Sequence, residues 1–142
     1  MRMIRLLTLA LLLSAVAQAE AAGLRLRALL VVASNQGGET DSSLAAYEPT
    51  LRRILRFDTY RLAGDDTSAV DVPGRAALSP GRGHNLTVEA DASGGRLRVQ
   101  WEQNGKALMN TGLALRRGAP AVLGGPSTGQ KGEVWAVILV AD

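Results

Sequence analysis

The second half of the chain alternates apolar and polar residues in short segments that end at glycine or proline. Residues 85–90 and 96–102 each carry an apolar side chain at every second position. A period of two is typical of strands with one buried and one solvated face. The closing segment, 134–140, is apolar on both faces and is expected in the middle of a sheet. These features predict a mainly β fold, an antiparallel β-sandwich or partly open barrel.

One short helix is expected in the N-terminal half of the domain. Apolar residues recur at three- and four-residue spacing between Leu44 and Leu55, which indicates a helical face. Pro49 lies inside this stretch and cannot be an ordinary interior helical residue. The pattern therefore predicts a turn at 42–47 followed by a helix from Pro49 to Leu55, with proline at its first position.

The strands on either side of this helix are less regular. Residues 24–33 predict the first strand and residues 56–63 the next. Gly64, Asp65 and Asp66 then indicate a solvated turn before a second short strand at 69–72. The acids, with Asp71, do not match the alternate spacing of an EF-hand calcium loop.

One hairpin permits a register prediction. Asn104-Gly105 is a strong turn signal, and a two-residue loop is the default. That loop would place Asn110 opposite Val99. A three-residue loop at 103–105, with Gly105 left-handed, pairs Glu102 with Lys106 and Val99 with Met109, which puts Met109 on the face of Trp101. Because a one-residue slip turns every side chain to the other face, the three-residue loop is the prediction.

The N-terminus predicts export. Residues 1–19 run from a basic start through an apolar segment to Ala17-Gln18-Ala19, the order of a cleavable signal peptide. Cleavage after Ala22 is the second choice. The apolar run is too short for a spanning helix of roughly 20 residues, so no stable membrane anchor is expected after cleavage. Residues 20–142 would then form a single β-rich domain in the periplasm or outside the cell.

Composition excludes several kinds of chemistry. The chain has no cysteine, which rules out disulfides, thiol nucleophiles and cysteine-bound metals. Its sixteen basic and thirteen acidic residues give a formal charge of +3. Removal of Arg2 and Arg5 with the signal peptide leaves 14 − 13 = +1. Nucleic acid is therefore not expected as a partner.

No residue is assigned a catalytic, cofactor-binding or metal-binding role, and no cofactor is expected. His84 is the one histidine, and a Ser-His-Asp triad would need it together with Ser79 and Asp91. No nucleophile-elbow motif surrounds any serine. One histidine does not make a typical zinc site. His84 is therefore interpreted as a surface or turn residue.

Other candidate groups also have structural explanations. Glu89, Glu102 and Glu133 are interpreted as solvated strand residues rather than a glycosidase pair. Trp101 shares a face with apolar residues and is expected in the core, whereas Trp135 could be buried or exposed. The glycine pairs do not lie between a strand and a helix, as a phosphate loop requires.

Two resemblances add expectations. The run Leu51-Arg52-Arg53-Ile54-Leu55, the segment 56–62 and the step Gly118 to Gly125 resemble small, exported, uncharacterised bacterial β-proteins over most of the mature chain. That resemblance implies no function. Residues 113–140 are similar to a hairpin of the outer-membrane secretin family, whose remaining core and periplasmic domains this chain lacks.

The function expected from the sequence is therefore that of a non-catalytic exported β-domain. It would act by binding an unknown protein or envelope partner, or as an envelope accessory. A secretion-system or secretin-associated component is the alternative, and a small hydrolase is the third possibility.

Overall fold

The computed structural model describes residues 23–93 and 95–142, so the predicted signal peptide at 1–19 lies outside the described residues. The described part is a β-sandwich of two four-stranded antiparallel sheets with one α-helix. This confirms the predicted mainly β class, and the sheets do not close into a barrel. The strands are β1 Gly23–Ser34, β2 Thr59–Asp71, β3 Gly74–Gly81, β4 His84–Ala90, β5 Arg96–Gln103, β6 Lys106–Ala114, β7 Ala121–Ser127 and β8 Glu133–Ala141, and the helix α1 is Glu48–Leu55.

The strand order explains which strands are apolar on both faces. The first sheet has the order β2-β1-β8-β7 and the second has the order β3-β4-β5-β6. β1 and β8 are the central strands of the first sheet, which confirms the predicted central position of the closing segment. One face of that sheet lies on the second sheet and the other is covered by α1, so the molecule has three layers.

Alternate residues of β1 therefore enter two different cores. Leu26 and Leu30 face the second sheet, whereas Leu29 and Val31 face the helix, and all four are almost fully buried. Burial of each such side chain stabilises the fold by roughly 1.5–3 kcal/mol. A strand buried on both faces has no polar alternation, as β8 and residues 28–33 of β1 show.

The helix follows the prediction closely. A 3₁₀ turn at Ser42–Leu44 precedes α1, and Pro49 lies in the first turn of α1. There it removes no intrahelical hydrogen bond. The helix ends at Leu55 and is capped by Arg56, whose φ of 55° is left-handed. Leu51 is fully buried against the first sheet. No helix of the described residues is long and apolar enough to cross a membrane.

The predicted turn at 64–66 is wrong. β2 continues from Thr59 to Asp71, with a register shift where the partner of Leu30 is Gly64 and the partner of Val31 is Leu62. Gly64 lies close to β3 instead of forming a turn. A Cβ on Gly64 would collide with the carbonyl oxygen of Pro80 in β3. A glycine within a strand often marks such a close approach.

The two acids beside Gly64 also belong to the strand. Asp65 accepts a hydrogen bond of 2.9 Å from Arg27 of the neighbouring β1. Asp66 accepts one of 2.7 Å from the backbone N–H of Ser79 in β3. β2 and β3 thus lie side by side along one side of the sandwich.

The hairpin between β5 and β6 corrects one prediction and confirms another. Its loop has two residues, Asn104 and Gly105, both with positive φ, and Gln103 is opposite Lys106. The three-residue loop is therefore wrong. The pairings of Glu102 with Lys106 and of Val99 with Met109 are wrong as well, because Val99 is opposite Thr111. The left-handed Gly105 is confirmed.

A bulge reconciles this loop with the apolar pattern. After Glu102 pairs with Ala107 the register shifts by one residue, so Trp101 is opposite Met109. The predicted placement of Met109 on the Trp101 face is thus confirmed. Leu108 is the extra residue in β6, and it shifts the register by one. The prediction had assigned this shift to a longer loop.

Candidate functional site

His84 lies in the core, so its interpretation as a surface or turn residue is wrong. It is the first residue of β4 and is only 1% exposed. Its Nδ1 accepts a hydrogen bond of 2.9 Å from the indole N–H of Trp101. Its ring also meets that of Trp135 at 62°, with 4.6 Å between the centroids. Both tryptophans are buried, as expected for Trp101.

The Trp101 bond fixes the protonation pattern of His84. Since Nδ1 accepts, the hydrogen of the neutral ring is on Nε2. Nε2 is buried and has no hydrogen-bond partner among the described residues. Burial lowers the pKa of His84 from its usual value because the charged ring would lose its hydration. These contacts describe a neutral histidine that joins the two tryptophans.

The three residues of the possible triad make their hydrogen bonds elsewhere. Ser79 Oγ donates to Asn85 Oδ1 at 2.7 Å. Asp91 Oδ1 accepts from the hydroxyl of Ser93 at 2.6 Å. Since His84 Nδ1 is bonded to Trp101, the structure does not bring Ser79, His84 and Asp91 together.

The carboxylates differ in their surroundings. Glu89 and Glu102 are exposed strand residues, as expected. Glu133 is buried, contrary to the expectation of a solvated face. It accepts hydrogen bonds from Thr128 Oγ1 at 2.9 Å and from Arg61 at 3.2 Å. Within residues 23–93 and 95–142, no three potential metal ligands cluster.

A polar cleft of about 390 Å³ lies at one end of the sandwich above Trp135. Its lining includes Arg61 and Glu133, which form an ion pair with each other. It also includes Asp41, which accepts a hydrogen bond of 2.7 Å from the backbone N–H of Leu62. Arg61, Glu133 and Asp41 are thus engaged in contacts within the fold, whereas Arg82, which also lines the cleft, makes no ion pair with a described residue.

The outer strands of the two sheets differ in how their free edges are protected. An edge strand exposes a row of unpaired N–H and C=O groups, and proteins usually protect it with charge, proline, bulges or a covering segment. Of the four outer strands in the described structure, β2 and β3 lie against each other. β7 contains Pro126, and its register with β8 shifts between Gly124 and Ser127.

β6 is the outer strand without these protections over most of its length. It pairs only with β5 among the described strands. From Ala107 to Ala114 it contains neither a charged residue nor a proline. Beyond the bulge at Leu108 its pairing is regular from Met109 to Ala114. No described strand pairs with its free side, and part of β6 lies near β7 of the first sheet.

The side chains of β6 are also suited to an added strand. Met109 and Leu113 are partly buried and border the sandwich core, whereas Asn110 and Gly112 are exposed on the outer face. An added strand would continue both the inner apolar face and the outer polar face. We call β6, residues 106–114, the open edge.

Sequence reasoning did not find the open edge. Strand order depends on pairings between residues that lie far apart in the chain. The sequence of β6 does not indicate that β5 is its only neighbour among the described strands. The composition did hold a signal, because residues 107–114 of β6 lack the charge and proline that protect an edge.

The fold and the open edge define a class: a two-sheet β-sandwich with one side closed by adjacent strands and one edge available for pairing. Comparison of the chain with models of protein families, with curated proteins and with solved structures gives no match. Functional inference therefore rests on the geometry of the edge.

Proposed function

We propose that this protein is a non-catalytic β-domain, exported to the periplasm or the cell exterior, that binds an extended segment of a partner protein at the open edge. The observation that supports this proposal most directly is the uncharged, proline-free and regularly paired strand from Met109 to Ala114. Export itself rests on the signal-peptide pattern of residues 1–19.

Strand addition has a simple energetic basis. The backbone groups on the free side of β6 bond to water in the isolated protein and to the added strand in the complex. Main-chain hydrogen bonds supply affinity, and alternate side chains supply specificity. An unprotected edge is also a liability for aggregation, so its retention favours a function in pairing.

The secretin-associated alternative receives no separate support. Its resemblance includes the step Gly124-Gly125, and both glycines have packing reasons within this fold. Gly124 lies under Leu55 of α1, and Gly125 lies against Trp101. Close packing on the two faces of β7 is sufficient to explain the pair.

A peptide titration tests the proposal. The probe is a nine-residue peptide of alternating threonine and valine, which matches the nine residues of β6. Two further forms carry N-methyl groups on alternate amides, either the odd-numbered or the even-numbered ones. Binding is followed by backbone amide chemical shifts of the purified protein.

Strand addition predicts shifts centred on β6 and loss of binding for only one of the two methylated forms. That asymmetry arises because alternate amides of a strand point to opposite sides. Equal binding of both methylated forms, or shifts centred outside β5 and β6, would contradict the proposal.

A further inference from the structure

The open edge lies in a long stretch of the chain that contains no acid. No aspartate or glutamate occurs between Glu102 and Glu133, whereas Lys106, Arg116 and Arg117 all lie in this interval. Lys106 begins β6 and Arg116 follows its end, whereas Arg117 pairs with Ala141 of the first sheet. The open edge therefore has a cation at each end.

These cations are available to a partner. Lys106, Arg116 and Arg117 are exposed and form no ion pair with any described residue. The nearest acid on the adjacent strand is Glu102, which is opposite Ala107 and makes no ion pair with Lys106 within the described structure.

Other acids near the edge lie farther from it. Glu89 and Asp91 border a shallow depression of about 430 Å³ that extends across the second sheet to Gly112. Glu89 belongs to β4, two strands from β6, which corresponds to about 10 Å at the usual strand spacing. It is also paired with Arg75 at 3.2 Å. Asp142 follows Ala141, the bridge partner of Arg117, in the first sheet. The charged residues at the two ends of β6 itself, Lys106 and Arg116, are thus both positive.

We infer that the partner segment at the open edge is an extended acidic polypeptide, with apolar residues at alternate positions and carboxylates at its two ends. This inference rests on the proposed function. The apolar positions follow from Met109 and Leu113, which an added strand must cover on the inner face. The terminal carboxylates follow from the exposed Lys106 at one end and the exposed Arg116 at the other.

Three peptides test the inference. Each has the alternating threonine–valine core, flanked at both ends by glutamate, by glutamine or by lysine. Their affinities for the purified protein are compared at low salt and at 1 M salt, the latter reducing the screening length to roughly 3 Å. The glutamate-flanked peptide is expected to bind about tenfold more tightly than the glutamine-flanked one at low salt, as a few exposed ion pairs provide.

The outcomes separate the two proposals. A glutamate preference that disappears at high salt supports the acidic partner. Equal binding of all three peptides overturns the acidic partner and leaves strand addition standing. If none of the three binds, both the acidic partner and the proposed function are overturned.

A pair of variants locates the effect. The double variant K106Q/R116Q is expected to lose most of the preference for glutamate over glutamine. The matched control is K131Q, which removes an exposed cation of the same acid-free stretch from the loop before β8. Loss of the preference in K131Q and its retention in K106Q/R116Q would overturn the assignment to the open edge.

Discussion

At the scale of single residues, His84 is the clearest case of a side chain whose environment differs from expectation. It precedes Leu86 by two positions, so the period of two extends back to it and places it on the inner face. Gly81 and Gly83, which precede His84, indicated a turn, and this indication was given more weight than the period of two. The contact with Trp101 could not be derived from the sequence, because it depends on the pairing of β4 with β5.

The bond from Trp101 makes the protonation of His84 unfavourable in the folded state. A protonated ring would carry N–H groups on both nitrogens, and Nδ1 would then face the indole N–H as a second donor. Burial also lowers the pKa of His84. The unfolded chain, with a pKa near 6.5, therefore binds the proton first.

The stability of the protein should consequently fall on acidification. The contribution of His84 is complete above the unfolded pKa and is lost progressively as the pH falls below it. We expect a decline of up to about 1.4 kcal/mol per pH unit relative to H84N, which keeps an acceptor but does not titrate. Urea unfolding of both proteins from about pH 7.5 to 5.5 measures it, and parallel pH profiles would contradict it.

At the scale of elements, β7 shows how a strand of small residues joins two layers. Gly124 approaches Leu55 of α1 on one face, with 3.1 Å between an added Cβ and Leu55 Cδ2. On the other face, a Cβ on Gly125 would lie 2.8 Å from Trp101 Cζ3 and 3.0 Å from the carbonyl oxygen of Trp135. Neither the backbone nor the large buried ring can move away easily.

The variant G125A should therefore destabilise the protein by about 1–3 kcal/mol, as overpacked core substitutions do. Its control is G37A, because a Cβ on Gly37 meets nothing within 4 Å. We expect G37A to leave the free energy of unfolding within about 1 kcal/mol of the original protein. Denaturant unfolding compares them, and equal stability of the two variants would refute the packing argument for β7.

The elements also show where sequence patterns fail. Alternation identified β4 and β5 because each has one solvated face, and double-sided apolarity identified β8 as central. β2 was divided in two because Gly64, Asp65 and Asp66 have the composition of a turn. Their roles depend on β1 and β3, which lie far away or follow later in the chain. The hairpin loop was wrong for a related reason, since a bulge was not considered.

At the scale of the whole molecule, three layers explain how a chain without cysteine forms a stable core. The sheets enclose one apolar cluster, and α1 covers a second on the outer face of the first sheet. Sheet class and helix position followed from the sequence. The third layer and the order of strands did not, because both depend on which faces and edges meet after folding.

That order determines the asymmetry on which the functional account depends. One side of the sandwich is closed by β2 and β3. The other side has β7 and β6 as its outer strands, and β6 carries no charge or proline from Ala107 to Ala114. The central claim is that the free side of β6 is unpaired in the isolated protein and becomes paired when a strand is added.

Amide hydrogen exchange of the β6 residues tests this claim most directly. In the isolated protein, alternate amides of residues 109–114 should exchange rapidly while those bonded to β5 are protected. With the glutamate-flanked peptide at saturation, the rapid set should become protected and β8 should remain unchanged. Protection of every β6 amide in the isolated protein, or no gain of protection with bound peptide, would contradict the account.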